Sequence, residues 1–197
     1  HQARAIFEQL ASGTSKEGAR LAESTKNLAW FYLGKRFYQE RNTALAFTML
    51  EKIDITQLQN LGTTTIATDE IMDEYHYLMG ELQLVRGELE LSRKHLEQIS
   101  EKAPLRPYLI YNSALYLKQQ GKHAESQTVL DGLLLDIHAA IDEGKEKESS
   151  ALLDRIHLTK GVLFLEQSQF QLASLSLAKI SLNGPWSDQA LFQYALA

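Results

Sequence analysis

A small residue returns at the same place in one amphipathic segment after another: Gly34, Gly80, Ala114 and Gly161, at intervals of 46, 34 and 47 residues. After three of them comes a second apolar segment carrying a small residue and a leucine: Ala46 with Leu50, Ser126 with Leu130, Ala173 with Leu177. The segment after Gly80 carries Leu96 and Ile99. A residue without bulk lets two helix backbones approach, while large neighbours fill the groove to the next pair. The unit is therefore a helix hairpin. One hairpin cannot bury its own apolar face, but three or more stacked ones can.

Punctuation supports the register. Gly87 and Gly121 occupy the same inter-helix turn, 34 residues apart, and Pro185 stands after the hairpin of Gly161 where Pro104 stands after that of Gly80. At the start, Ala3, Phe7 and Leu10 have the spacing of a second helix, and Ser15 is a fair cap for the long helix that reaches Glu40. Residues 54–67 lack a clean helical period and read as an inserted loop. Thr68 or Asp69 then caps the next helix, with Glu70, Asp73 and Glu74 suiting its positive end. A second insertion, about residues 136–150, lengthens the flanking helices or forms a charged loop. A further helix is expected from Ser187 or Asp188. The alternative architecture is an irregular helical bundle, which obeys the same packing rules.

The order Trp30, Leu33, Gly34, Phe37 on one helix and Ala46, Leu50, Ile53 on the next resembles the tetratricopeptide repeat. That resemblance covers about Trp30 to Ala197 and implies an all-α fold, a right-handed α-solenoid. It would form one repeat domain over residues 1–197, with units at about 27–60, 73–106, 107–140 and 154–187 and partial units at both ends. The segments AWFYLGKRFYQ, RPYLIYNSALYLKQQG and NGPWSDQAL resemble, more loosely, the repeats of large exported bacterial proteins. A periplasmic or exported setting is expected on that ground, with the cytoplasm as the alternative. His1 at the start, and an amphipathic helix that runs to Ala197, lead us to expect a fragment of a longer protein.

Composition narrows the function classes. A net charge of −5 without a basic cluster argues against nucleic acid and anionic lipid as partners. No apolar run approaches the length of a membrane span, and no signal peptide opens the chain. The absence of cysteine excludes disulfides, zinc-cysteine sites and thiol catalysis. The six histidines lack the spacing of a zinc-binding helix, and the chain has no nucleophile elbow, phosphate loop or dinucleotide fingerprint. Asp69, Glu70, Asp73 and Glu74 are the densest acidic cluster, but they lack the alternation and central glycine of a calcium loop. The run EGKEKE, residues 143–148, reads as a solvated face. His157, aligned with Trp30, is expected to be partly buried with its neutral form favoured. No enzyme, cofactor or metal is expected.

What remains is a surface. The resemblance implies that inward positions of the first helices line a concave face. These are Leu28, Phe31, Lys35 and Tyr38; Glu74, Tyr77, Glu81 and Leu84; Tyr108, Tyr111, Leu115 and Lys118; and Arg155, Leu158, Val162 and Leu165. From these the expected protein-binding groove is Phe31, Lys35, Tyr38, Tyr77, Glu81, Tyr108, Tyr111, Lys118 and Arg155. Its aromatic rings offer the contact area common at binding hot spots. The alternative for any one of them is packing against a neighbouring helix. The family's clamp for peptide carboxyl termini is not reproduced. The expected partner is a protein or peptide, with acidic character favoured by Lys118 and Arg155. Self-association into a homo-oligomer or assembly within a larger envelope protein is the alternative.

Overall fold

The computed structural model describes residues 23–59, 65–142 and 146–197, with the side chains of 23–24, 59, 65–67, 140–142 and 146–149 excepted. Among the described residues the regular structure is entirely helical. The helices are α1 (Glu23–Gln39), α2 (Thr43–Leu50), α3 (Ile55–Gln59), α4 (Thr65–Val85), α5 (Leu89–Gln98), α6 (Arg106–Gln119), α7 (His123–Asp142), α8 (Glu146–Glu166), α9 (Phe170–Leu177) and α10 (Ser187–Tyr194). They belong to two compact units, His1–Leu109 and Ile110–Ala197. In the first unit α1 packs on α2 and α4 on α5; in the second α8 packs on α7 and α9, and α10 on α9.

Four hairpin turns close in one way. In the first, the Arg41 N–H donates to the Tyr38 carbonyl and the Asn42 N–H to that of Phe37, both at 2.9 Å. The same pair of bonds runs from Gly87 and Glu88 to Leu84 and Gln83, from Gly121 and Lys122 to Lys118 and Leu117, and from Ser168 and Gln169 to Leu165 and Phe164. This double bond satisfies the last helical carbonyls and requires a left-handed residue in the turn. Arg41, Gly87, Gly121 and Ser168 supply it, with φ of 59°, 84°, 72° and 59°.

The close approach of helices is visible at the small residues. A methyl group added to Gly34 would lie 2.5 Å from Leu50 Cγ, and one on Gly161 2.5 Å from Leu177 Cδ2, so each glycine seats the leucine of its own hairpin. Gly80 differs: its near neighbour is Leu109 Cδ2, at 2.6 Å, on α6 rather than on α5. Ala46, Ser92, Ser126 and Ala173, aligned on the second helices, are all buried.

A further repeated bond was not legible beforehand. The side chains of Asn27, Asp73 and Asp154, on first helices, each accept the backbone N–H of the residue 27 positions later, Asp54, Ser100 and Ser181, at 2.9, 2.8 and 3.1 Å. Each bond ties down the chain just after its second helix has ended. The aligned position in the remaining hairpin is Pro107, which has no such acceptor, and there the second helix α7 does not end but runs on to Asp142.

Three expectations are corrected. Residues 54–67 are not simply a loop, because α3 forms where Asp54 accepts bonds from the Thr56 N–H and hydroxyl, at 3.0 and 2.6 Å, and Leu58 is fully buried in the core of the first unit. Those Thr56 bonds also hold the Asp54 carboxyl below its ordinary pKa. Helix α4 starts at Thr65, so Thr68 is a buried residue inside it and not a cap. The acidic cluster accordingly sits within α4 and not at its positive end; Asp73 holds Ser100, and Glu74 pairs with Lys35. The second insertion lengthens helices, with α7 reaching Asp142 and α8 beginning at Glu146. Residues 143–145, the side chains at 146–149 and the expected features before Glu23 lie outside the described residues.

Candidate functional site

In the first unit the expected groove positions are largely satisfied by one another. Phe31 is 1% exposed and belongs to the hydrophobic core, so its ring packs and offers no contact surface. Lys35 Nζ reaches the Glu74 carboxylate at 2.7–2.8 Å, joining α1 to α4. The Tyr38 hydroxyl donates to Glu81 Oε2 at 3.4 Å. Burial, with the Glu81 carboxylate adding to it and a Tyr77 hydrogen bond opposing it, pushes the Tyr38 hydroxyl up to about 12. Tyr77 and Tyr108 are half-buried.

The second unit is different, because there the inward positions surround an open hollow of about 240 Å³. Tyr111, Leu115 and Lys118 come from α6, at the i, i+4, i+7 spacing of one helix face. Arg155, Leu158, Thr159 and Val162 come from α8, again on one face. Trp186 and Gln189 close the third side at the start of α10. Six of these nine residues are inward positions named from the sequence. Thr159, Trp186 and Gln189 were missed; the available signal was Trp186, a large aromatic following the boundary Pro185.

Hydrogen bonding fixes the floor. Thr159 Oγ1 donates to the Arg155 carbonyl at 2.9 Å, which uses its single proton, so the Tyr111 hydroxyl is the donor in the 2.9 Å bond between Tyr111 and Thr159. Tyr111 is buried, yet one face of its ring carries the Arg155 guanidinium, whose central carbon lies 4.8 Å from the ring centre and 5.5 Å from that of Trp186. The two cations that the expected groove places in this unit have different fates. Lys118 Nζ is 2.6 Å from Glu166 Oε1, with His123 Nδ1 3.8 Å from the other carboxylate oxygen. Arg155 meets two rings and, among the described residues, no carboxylate.

Two other clusters contain histidine. His157, buried as expected, lines a wider hollow of about 450 Å³ together with Asp154, Lys179 and His138. Burial first, then Lys179, Lys160 and His138, lower its pKa to about 4. In the first unit His76 and His95 meet across α4 and α5 with their Nδ1 atoms 3.0 Å apart, a pairing hidden by their 19-residue separation. Among the described residues no group of three or more histidine, aspartate or glutamate side chains could hold a metal, and no helix is long and apolar enough to cross a membrane.

Comparison with known proteins adds no relative: no family model matches the chain, and neither a curated protein nor a solved structure matches it.

Proposed function

We propose that the chain is a protein-interaction scaffold of tetratricopeptide type, a right-handed α-solenoid, and that the α6–α8–α10 hollow binds an extended peptide segment. The observation that carries this reading is the coincidence of two independent features. Six inward positions named from sequence register, Tyr111, Leu115, Lys118, Arg155, Leu158 and Val162, are among the nine residues that line an open hollow with aliphatic walls and an aromatic floor. Such a mixture of apolar area with a few fixed polar groups is what recognition sites use for affinity and orientation.

The test is affinity selection of a random peptide library on the whole chain, followed by calorimetry of the enriched peptides. Val162→Glu, which puts a charge among Leu115 and Leu158, should reduce affinity at least tenfold while circular dichroism stays helical. Deleting residues 143–148 should leave affinity unchanged. Wild-type binding by Val162→Glu, with loss on the deletion, would move the site to the charged run.

A second reading, self-association, draws on the apolar side chains that α9 and α10 leave open, among them Leu175, 65% exposed, and Phe192, 63% exposed. Sedimentation equilibrium decides it: a dimer that Phe192→Lys dissociates would favour assembly, and a monomer throughout the micromolar range would remove it.

A further inference from the structure

We infer that the hollow of the second unit recognises one carboxylate side chain, an aspartate or glutamate of an extended peptide, with Arg155 as its anchor. This rests on the peptide-binding reading above and names the chemistry that reading leaves open.

Two independent observations lead to it. The first is the state of the Arg155 guanidinium, which lies over the rings of Tyr111 and Trp186 and has no carboxylate among the described residues. Among the described residues no hydrogen bond uses its N–H donors, a planar fork whose geometry matches a carboxylate in two parallel bonds. The rings also hold the fork in place, so little side-chain freedom is lost when it binds. The second is the N-terminus of α10. Its cap residue Trp186 lines the hollow and supplies no side-chain hydrogen bond to the first turn, which Gln189 also carries into the hollow. An uncapped first turn presents backbone N–H groups and a partial positive charge to an anion.

The charge count selects the class of anion. Lys118 is neutralised by Glu166, and Asp188, in the first turn of α10, is exposed and not part of the lining. Among the described residues the lining holds one positive charge without a carboxylate, that of Arg155, which matches one carboxylate of a ligand. A phosphoryl group would bring nearly two negative charges to the same single fork. The Leu115, Leu158 and Val162 wall sets the neighbouring requirement, an apolar residue beside the acid in the peptide.

The same library selection tests this separately from the peptide-binding reading. Enriched peptides should share an Asp or Glu next to an apolar residue. Replacing that acid by Asn or Gln should weaken binding about tenfold or more, and Arg155→Gln should weaken the acidic peptide by a similar factor. The two losses should not multiply, since both remove one contact. Arg155→Lys should recover only part of the affinity, and Lys118→Gln should change it less than threefold. Enriched peptides without an acid, or an Arg155→Gln protein that is folded by circular dichroism and binds as wild type, would overturn the inference and leave the peptide site standing. Tighter binding of a phosphoserine peptide than of its glutamate counterpart would replace carboxylate by phosphate and equally overturn it. A wild-type chain that enriches no peptide would remove the peptide site and the carboxylate with it.

Discussion

The aligned serines of the second helices separate two effects that look identical in sequence. Ser126 and Ser92 occupy the same hairpin position and both are buried, but Ser126 Oγ donates to the Ala114 carbonyl at 2.8 Å whereas Ser92 Oγ has no hydrogen-bond partner among the described residues. A made bond contributes about 1 kcal/mol net, while a buried hydroxyl without one costs roughly 1 to 3 kcal/mol of desolvation. Ser126→Ala should therefore lower the unfolding free energy by about 1 kcal/mol, and Ser92→Ala should leave it unchanged or raise it. Urea midpoints at constant slope measure both. Equal losses for the two variants would mean that Ser92 has a bond in solution.

At the scale of the hairpin, what could be read from sequence is what bulk dictates, and what could not is what backbone geometry permits. Gly34 with Leu50, and Gly161 with Leu177, follow from size alone, and each pair is in contact. The left-handed turn residue was legible only at Gly87 and Gly121, because Arg41, in a turn the sequence does place, and Ser168 adopt the same backbone without the residue that advertises it. Gly80 seats Leu109 rather than a residue of its own hairpin, and short α3, Ile55–Gln59, shows no helical period because only Ile55 and Leu58 in it are apolar. The wall of the candidate site was legible as helix register, and its closing side was not, since Trp186 reaches the hollow without being an inward position of any first helix. The Gly34–Leu50 contact makes a quantitative test. Leu50 is fully buried, so Leu50→Ala should cost about 2 to 5 kcal/mol, and Gly34→Ala alone should cost about 1 to 3 kcal/mol through its clash with Leu50. In the double variant the new methyl fills part of the vacated space, so the combined loss should fall short of the sum by about 1 kcal/mol or more. Strict additivity would show that the two side chains do not meet.

Over the whole chain, each compact unit carries a histidine that folding keeps neutral, and the consequence for pH has a definite sign. In the first unit burial, then the neighbouring His95, lower His76 to about 4. Its Nδ1 shares one proton with that of His95, which burial also lowers, and Tyr75 is the other ring packed on both. A second proton would set two donors face to face at 3.0 Å. In the second unit His157 is lowered to about 4 by burial and by Lys179, Lys160 and His138, all of which oppose a further positive charge. Unfolding returns each imidazole to an ordinary pKa near 6.5, so between about pH 6.5 and 4 the unfolded chain binds more protons than the folded one. Stability is then complete above about pH 6.5 and falls as pH falls. By pH 5 each of His76 and His157 accounts for a loss of about 2 kcal/mol, a large share of what holds a domain folded and well before ordinary carboxylates are protonated. Urea unfolding at pH 7.5 and pH 5 should show the lower midpoint at pH 5, and His76→Gln and His157→Gln should each reduce the difference, with helical content at pH 7.5 preserved. Equal midpoints at the two pH values in the wild-type chain would mean that these imidazoles take up protons while folded, and would put both of them in contact with water.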